Sequence, residues 1–294
     1  MTPGPPQVKR LLAEHGLRPR RGLGQNFVVD PNTVRRVVRL AGVSEGSAVI
    51  EVGAGLGSLT LALADAGAGV VAVEVDPALA AVLRQLVATL PVRVVEADAL
   101  AIDWPELLTA PVPGREQGSS EWSLVANLPY NVATPLVVQV LERAPGIQRM
   151  LVMVQREVGE RLAAGVGDPS YGAVSVKVAY WATASVVGRV PATVFVPRPK
   201  VESALVRIER RPEPAVSEST VGYDRLFQVV RAGFAQRRKM LRRSLAGVVD
   251  PEAFAGAGVA PESRAEELGL AQWSLLAAAP VADRGRPAST EEGR

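Results

Sequence analysis

The chain has 294 residues, 48% hydrophobic and 21% charged, with a formal net charge of +3. That is room for one large domain and a small one with real cores, and it excludes disorder, collagen and coiled coil. Cysteine is absent and His15 is the sole histidine, which removes disulfides, thiolate or histidine metal clusters and cysteine nucleophiles, and leaves any Ser-His-Asp triad dependent on one N-terminal residue. The uncharged stretch Leu124–Leu141 is broken by Asn127, Pro129, Asn131 and Pro135, and the first thirty residues hold no apolar signal core. The expectation is a soluble, cytoplasmic, monomeric protein with no metal and no membrane segment.

The charge is unevenly spread. Residues 1–30 carry five Lys/Arg against two Asp/Glu, residues 31–195 twelve against fifteen, and residues 196–294 sixteen against thirteen. Within the last part, Asp224–Leu245 holds Arg225, Arg231, Arg237, Arg238, Lys239, Arg242 and Arg243 against the single acid Asp224. A run of this kind faces a polyanion or forms a solvated helix face, and nucleic acid is the leading partner.

Valine-rich apolar runs alternate with helical spacing through the first two thirds, the pattern of βαβ units and a mostly parallel sheet. Strands are predicted at Ala48–Gly53, Gly69–Asp76, Val92–Asp98, Trp122–Leu128 and Met150–Gln155. Helices are predicted at Ser58–Asp65, Pro77–Thr89 and Thr134–Arg143, with Pro77 suited to a first helical turn. Pro105–Glu121 reads as a surface loop. Val174–Val190 and Leu205–Arg210 are β-rich, with no convincing helix between them, and are expected to close the sheet as an antiparallel pair. A Pro/Ser/Glu linker, Arg211–Thr220, ends this part. Tyr223–Ala279 is predicted helical throughout, with Leu226, Phe227, Val230 and Phe234 as its apolar stripe, and Asp283–Arg294 is a polar tail expected to be disordered. The domains are therefore 1–211, a helical domain at 222–282, and the tail 283–294.

The first strand runs into Glu51-Val-Gly53-Ala-Gly55-Leu-Gly57. Glycines there let the backbone turn tightly and approach a ligand. The dinucleotide spacing fails, because Ser58 stands where the last glycine should be. Glu74, about twenty residues on, sits where a carboxylate accepts two ribose hydroxyls. Asp98, at the end of the third strand, is placed to bond an adenine amino group. Each acid has an alternative reading as the cap of a following helix. Together with the glycines they describe a nucleoside site without phosphate contacts, as S-adenosylmethionine needs.

Asn127-Leu128-Pro129-Tyr130 follows the fourth strand. Methylating an exocyclic amino group is difficult because the lone pair is delocalised into the base. The Asn127 side-chain oxygen and the carbonyl two positions on, held by the proline turn, are placed to accept the two amino hydrogens, and Tyr130 offers a surface for an extruded base, with stacking worth roughly 1–3 kcal/mol. The alternative is an ordinary Asn-Pro turn with a core tyrosine.

At this point the sequence resembles the ribosomal RNA adenine N6,N6-dimethyltransferase family. The resemblance runs from Arg20 to about Leu276 through Gly24–Asp30, Glu51–Gly57, Glu74–Asp76, Asp98–Leu100, Asn127–Asn131, Met153–Glu157, Phe195–Ser203 and Gln236–Leu245. It implies a Rossmann-like S-adenosylmethionine-dependent methyltransferase fold with a mostly parallel seven-stranded sheet and a small C-terminal all-α domain that binds RNA. By resemblance Asn26 and Val28 close over the cofactor, Gly53 approaches its methionine part, with Gly55 and Gly57 completing the turn, Glu74 binds its ribose and Asp98 its adenine. Asn127 would bridge cofactor and target. Phe195, a core position when read from the residues alone, would sandwich the target adenine opposite Tyr130. Arg237, Arg238, Lys239, Arg242 and Arg243 would hold RNA, with a bracing role against acids such as Glu157 as the alternative. Ala54, Val28, Glu202 and Ala173-Val174 depart from the commonest family pattern, and none removes a chemical group. The implied reaction is dimethylation of two adjacent adenines in the 3′-terminal hairpin of 16S rRNA in the small ribosomal subunit or its precursor. Two alternatives are a large-subunit (23S) dimethyltransferase of the macrolide-resistance type and a non-catalytic RNA-binding assembly or transcription factor.

Overall fold

A computed structural model describes residues 5–20, 22, 24–112 and 121–279. In chain order the elements are α1 Pro5–Glu14, β1 Phe27–Val28, α2 Pro31–Ala41, β2 Ala48–Val52, α3 Ser58–Asp65, β3 Gly69–Glu74, α4 Pro77–Leu86, β4 Val92–Glu96, α5 Trp104–Thr109, β5 Trp122–Asn127, α6 Ala133–Arg143, β6 Ile147–Gln155 and α7 Arg156–Ala163. They continue as α8 Ala173–Trp181, β7 Ala182–Val190, β8 Phe195–Val196, β9 Ser203–Arg210, α9 Tyr223–Ala235, α10 Leu241–Ser244, α11 Ala253–Gly256 and α12 Leu270–Ala278.

The chain divides into two units. The first holds the residues up to Ala163 together with Trp181–Glu213. Its sheet has the strand order β4-β3-β2-β5-β6-β9-β7. β2, β3, β4, β5 and β6 are parallel, with Val52 opposite Val73 and Ile50 opposite Leu124, while β9 runs antiparallel to both β6 and β7. Every residue of β2 and β3 is buried, which is why both read as continuous apolar runs. The order reverses between β2 and β5, so the crevice at their carboxyl ends is where an open α/β sheet takes a ligand.

Around the sheet the helices follow their caps. Asp30 accepts the Thr33 N–H at 2.8 Å and the Thr33 hydroxyl at 2.6 Å, starting α2, and Gly42 at φ +67° ends it. Asp76 starts α4. Arg210 turns inward and donates to the carbonyls of Val140, Leu141, Ala144 and Ile147, satisfying the open end of α6. Val8 and Leu12 of α1 enter a small apolar cluster with Phe27, Val29, Leu56, Leu79 and Val82.

The second unit comprises Ala164–Tyr180 and the described residues from Pro214 onward. Residues 164–180, expected within the domain 1–211, thus belong to the second unit. Within the second unit Tyr171 donates its hydroxyl to the Leu268 carbonyl at 2.9 Å and its ring meets Phe234 edge-on at 5.9 Å. Phe234 in turn packs on Trp273 at 5.7 Å.

Three predicted elements need correction. Val174–Val190 is a helix followed by a strand, because α8 buries Ser175, Val176, Val178 and Tyr180, and that burial outweighs the modest β preference of valine. The start of Pro105–Glu121 is helical: Asp103 caps α5 through the Glu106 N–H at 3.1 Å, and Trp104 and Leu107 are buried. Residues 113–120 and the tail 283–294 lie outside the described residues. Tyr223–Ala279 is not helical throughout. It breaks into four helices and one 3₁₀ turn, with the left-handed Gly247 and Pro251 between α10 and α11, and the left-handed Gly258 and Pro261 between α11 and the 3₁₀ turn.

Candidate active site

A cleft open to solvent lies at the switch point, lined among others by Asn26, Val28, Glu51, Gly53, Gly55, Glu74, Asn127 and Tyr130. Residues separated by a hundred positions meet because β2, β3 and β5 all end there.

The glycine turn is built for a close approach. Gly53 has φ +75° and Gly55 φ +57°, and a Cβ on Gly55 would lie 3.0 Å from the Phe27 ring. Gly57 differs. Its φ is +77°, but a Cβ would meet Leu83 Cδ1 at 2.7 Å and it does not line the cleft. The expected ligand role of Gly57 gives way to starting α3 against α4.

Glu74 is 4% exposed. Its Oε2 accepts the Gly55 N–H at 2.7 Å and its Oε1 the Asp76 N–H at 3.0 Å. Burial raises its carboxyl above the usual carboxylate range, and hydrogen bonds from the backbone of Asp76, Gly55 and Val75 pull it back. Bracing the glycine turn and facing the cleft are thus compatible tasks of one side chain.

Glu51 was passed over as a site residue in the sequence, where it reads as part of a strand end. It is 2% exposed, lines the cleft, and its Oε2 has no partner among the described residues. Burial pushes its carboxyl up to about 8, hydrogen bonding from Thr60 opposes the rise, and repulsion from Glu74 adds to it. A buried carboxyl with one oxygen left open suits a cation. The sulfonium and ammonium of S-adenosylmethionine have that charge, Gly53 and Gly55 leave it room, and Glu74 suits its ribose, so the residues present fit this cofactor.

On the opposite wall Asn127 donates Nδ2–H to the Asn26 carbonyl at 2.9 Å, which fixes the amide. Asn26 Nδ2 in turn donates to the Gly24 carbonyl at 2.9 Å. The acceptor expected two positions after Asn127 is already engaged: the Pro129 carbonyl takes the N–H groups of Val132 at 3.2 Å and Ala133 at 3.1 Å, where α6 begins. The Leu128 N–H is tied to the Met153 carbonyl at 3.0 Å, while no donor reaches the Leu128 carbonyl among the described residues. Leu128 and Pro129 also line the cleft. Tyr130 is half-buried there, and burial raises its hydroxyl pKa.

Two expected members lie elsewhere. Asp98 is exposed and outside the cleft lining; its Oδ1 accepts the Leu100 N–H at 2.9 Å, so it stabilises the turn after β4. Phe195 is 3% exposed, pairs with Val28 across β8 and β1, and packs in the core with Met153 and Leu205. It backs the wall of the cleft and does not face into it.

The basic run in the second unit splits in two. Arg237 donates to Glu266 at 2.7 Å and to the Pro169 carbonyl at 2.6 Å, and Arg242 pairs with Glu262 at 3.2 Å. Arg238, Lys239 and Arg243 are exposed and have no acid partner among the described residues. Glu157, named from sequence as a brace, pairs with Arg161 at 3.0 Å one turn along α7. No described helix is long and apolar enough to cross a membrane, and no described cluster of acids and histidine could hold a metal.

The family model for ribosomal RNA adenine dimethylase matches residues 16–279. The ribosomal RNA small subunit methyltransferase A of Thermobifida fusca (strain YX) is 48% identical over 284 residues, covering 93% of this chain and 94% of the relative. That of Leifsonia xyli subsp. xyli is 48% identical over 288 residues, covering 94% and 97%. Among solved structures, the 23S rRNA methyltransferase ErmE superposes with TM-score 0.65 at 26% identity, covering 85% of this chain and 98% of that one. A dimethyladenosine transferase from Plasmodium falciparum superposes with TM-score 0.64 at 21% identity, covering 84% and 94%, and speaks for the fold alone. With nearly the whole chain matched and the glycine turn, Glu74 and Asn127 gathered in one cleft, the chain belongs to the ribosomal RNA adenine dimethylase family.

Proposed function

We propose that the protein is an S-adenosylmethionine-dependent methyltransferase that dimethylates N6 of two adjacent adenines in the 3′-terminal hairpin of 16S rRNA, acting as a monomer in the cytoplasm. The observation that carries this reading is the placing of Asn127-Leu128-Pro129-Tyr130 in the same cleft as Gly53, Gly55 and Glu74. S-adenosylmethionine supplies an electrophilic methyl group when bound. Glu74 holds its ribose hydroxyls, Glu51 faces its cationic end, and Gly53 and Gly55 leave room for it. Asp98, outside the cleft lining at the end of β4, spends Oδ1 on the Leu100 N–H and remains the candidate for the adenine edge through its other oxygen.

The chain's contribution to the reaction is on the target side. Asn127 Oδ1, aimed by the Nδ2 bond to Asn26, and the open Leu128 carbonyl accept the two amino hydrogens of the target adenine. Two acceptors on those hydrogens draw the lone pair out of conjugation and favour a pyramidal nitrogen, an interaction strongest as charge develops. Neither acceptor takes a proton at neutral pH, so the displaced proton leaves to water. Tyr130 presents a flat surface to the extruded base. Arg238, Lys239 and Arg243 are free to meet RNA phosphates.

Two relatives at 48% identity carry a small-subunit name, against 26% for the one called a 23S enzyme, and this supports the small-subunit target. Intact Asn127, Tyr130 and Glu74 favour an enzyme over a non-catalytic RNA-binding factor. Transfer of labelled methyl to purified small subunits lacking the modification, and none to large subunits, is the expected result. Labelling of large subunits alone would replace the target, and labelling of neither would remove the enzyme reading.

A further inference from the structure

Residues Gly24–Val28 form one wall of the cleft. Gly24, Gln25 and Asn26 precede β1, which begins at Phe27, and Gln25 is held by a side chain outside the cleft lining. Asp76 is 4% exposed and lines a separate hollow with Leu12, Leu17, Arg20, Gln25 and Leu79. Its Oδ2 accepts Gln25 Nε2–H at 3.3 Å and faces Arg20 Nη1 at 3.5 Å. The Gln25 Oε1 closes the loop by accepting the Arg20 N–H at 2.8 Å.

On its other side Asp76 is committed to the ligand-facing wall. Its Oδ1 caps α4 through the Ala78 N–H at 3.1 Å, and its own N–H donates to Glu74 Oε1 at 3.0 Å. One aspartate therefore joins the wall that carries Glu74 to the segment that carries Asn26, whose carbonyl receives Asn127 Nδ2. The cap alone would need only Oδ1. The second oxygen, with a cationic and a neutral donor on it, is free for the latch.

We propose that Asp76 is a positioning residue: it touches no cofactor, but by latching Gln25 and Arg20 it holds the Gly24–Val28 wall against the site and sets cofactor affinity. This rests on the reading that the cleft holds S-adenosylmethionine. The geometry makes the latch separable from the cap. Asp76→Asn keeps an oxygen for the Ala78 N–H but turns an amide N–H toward Gln25 Nε2 and Arg20, so donor meets donor.

The test is calorimetric binding of S-adenosylmethionine to the full chain, without RNA, beside the rate of trypsin cleavage after Arg20 and the melting temperature. Asp76→Asn is expected to raise the dissociation constant about tenfold, the order of one charge-assisted contact, and to speed cleavage. Arg20→Gln, which removes that cleavage site and is therefore read by calorimetry alone, weakens binding in the same direction, and the pair of changes together costs less than their sum, as residues of one network do. Gln25→Glu introduced with Asp76→Asn returns an acceptor opposite the new donor and restores tight binding and slow cleavage. Wild-type affinity in Asp76→Asn overturns the proposal, as does a loss that tracks the melting temperature and that Gln25→Glu leaves unrepaired. If the wild-type chain binds no S-adenosylmethionine, the cofactor reading itself falls and this inference with it.

Discussion

Glu74→Gln separates the two tasks of the buried carboxylate. The wild-type side chain accepts one backbone N–H on each oxygen, from Gly55 at 2.7 Å and Asp76 at 3.0 Å. Glutamine keeps the shape but has one acceptor oxygen, so one of those N–H groups is left facing an amide donor. A lost charge-assisted bond of this kind costs about 1.5–3 kcal/mol of folded stability. The ribose diol loses a charged acceptor for at least one hydroxyl, another ~1.5–3 kcal/mol, but only in the complex. At about 1.4 kcal/mol per tenfold, the dissociation constant of S-adenosylmethionine should rise roughly ten- to hundredfold. RNA affinity should stay as it is, since Glu74 lies under the glycine turn. Calorimetry for the cofactor, filter binding for RNA and thermal melting of the unligated chain report the three quantities independently. A lowered melting temperature with unchanged cofactor affinity would refute the reasoning and leave Glu74 as a brace of the turn.

The other expectations follow from single contacts. Asn127→Ala removes both the aimed acceptor and the bond to the Asn26 carbonyl, and should cut single-turnover methyl transfer by about 10²–10³ while cofactor binding changes by far less; a rate within a few-fold of wild type would exclude the role. Gly55→Ala places a side chain at φ +57° and 3.0 Å from Phe27, costing about 1–2 kcal/mol from the backbone alone, and should abolish cofactor binding in a chain that still melts cooperatively. Glu51 has its carboxyl raised from 4.5 to about 8 in the fold, so its neutral form is the one the unligated fold prefers: stability is full below 4.5 and declines as pH rises through 8. Melting curves across that window should slope downward in the wild type and flatten in Glu51→Gln. Replacing Arg238, Lys239 and Arg243 with glutamine should reduce the salt slope of RNA binding by about 2–3 at unchanged stability, whereas Arg237→Gln should lower the melting temperature and leave the slope; the reverse assignment would reject the division of the cluster.

Legibility in the sequence followed the range of the interaction. The parallel strands were readable because burial on both faces demands unbroken apolar runs, and α3 and α4 because glycine and Asp76-Pro77 mark their starts. The same signals, Asp30-Pro31 with Gly42 and Asp103 before Pro105, announce α2 and α5. α8 was hidden because its buried Val176, Val178 and Tyr180 alternate as a strand would, and only tertiary packing chooses between the two periods. In the site, residue types were legible and their partners were not. Phe195 reads as a core residue from the sequence alone and is one, but nothing local shows that acids 20 to 29 positions downstream neutralise Arg237 and Arg242 while Arg238 stays free.

The residues that matter most here hold the backbone and face the ligand at once. Glu74 fixes Gly55, Asp76 fixes Glu74 and Gln25, and Asn26 fixes Asn127, so the two walls of the cleft are bound into one network through side chains about fifty and a hundred positions apart. Such a network keeps its polar atoms in place before any ligand arrives, so binding need not order them, and the affinity gained is the entropy not spent. It also explains why an acid after a strand can be read from sequence either as a cap or as a ligand group with equal justice. Asp76 caps and latches; Glu74 braces and faces the cleft. The useful question for each is which of its oxygens does which task, and an isosteric amide, which spares one oxygen and spoils the other, answers it where alanine would remove both.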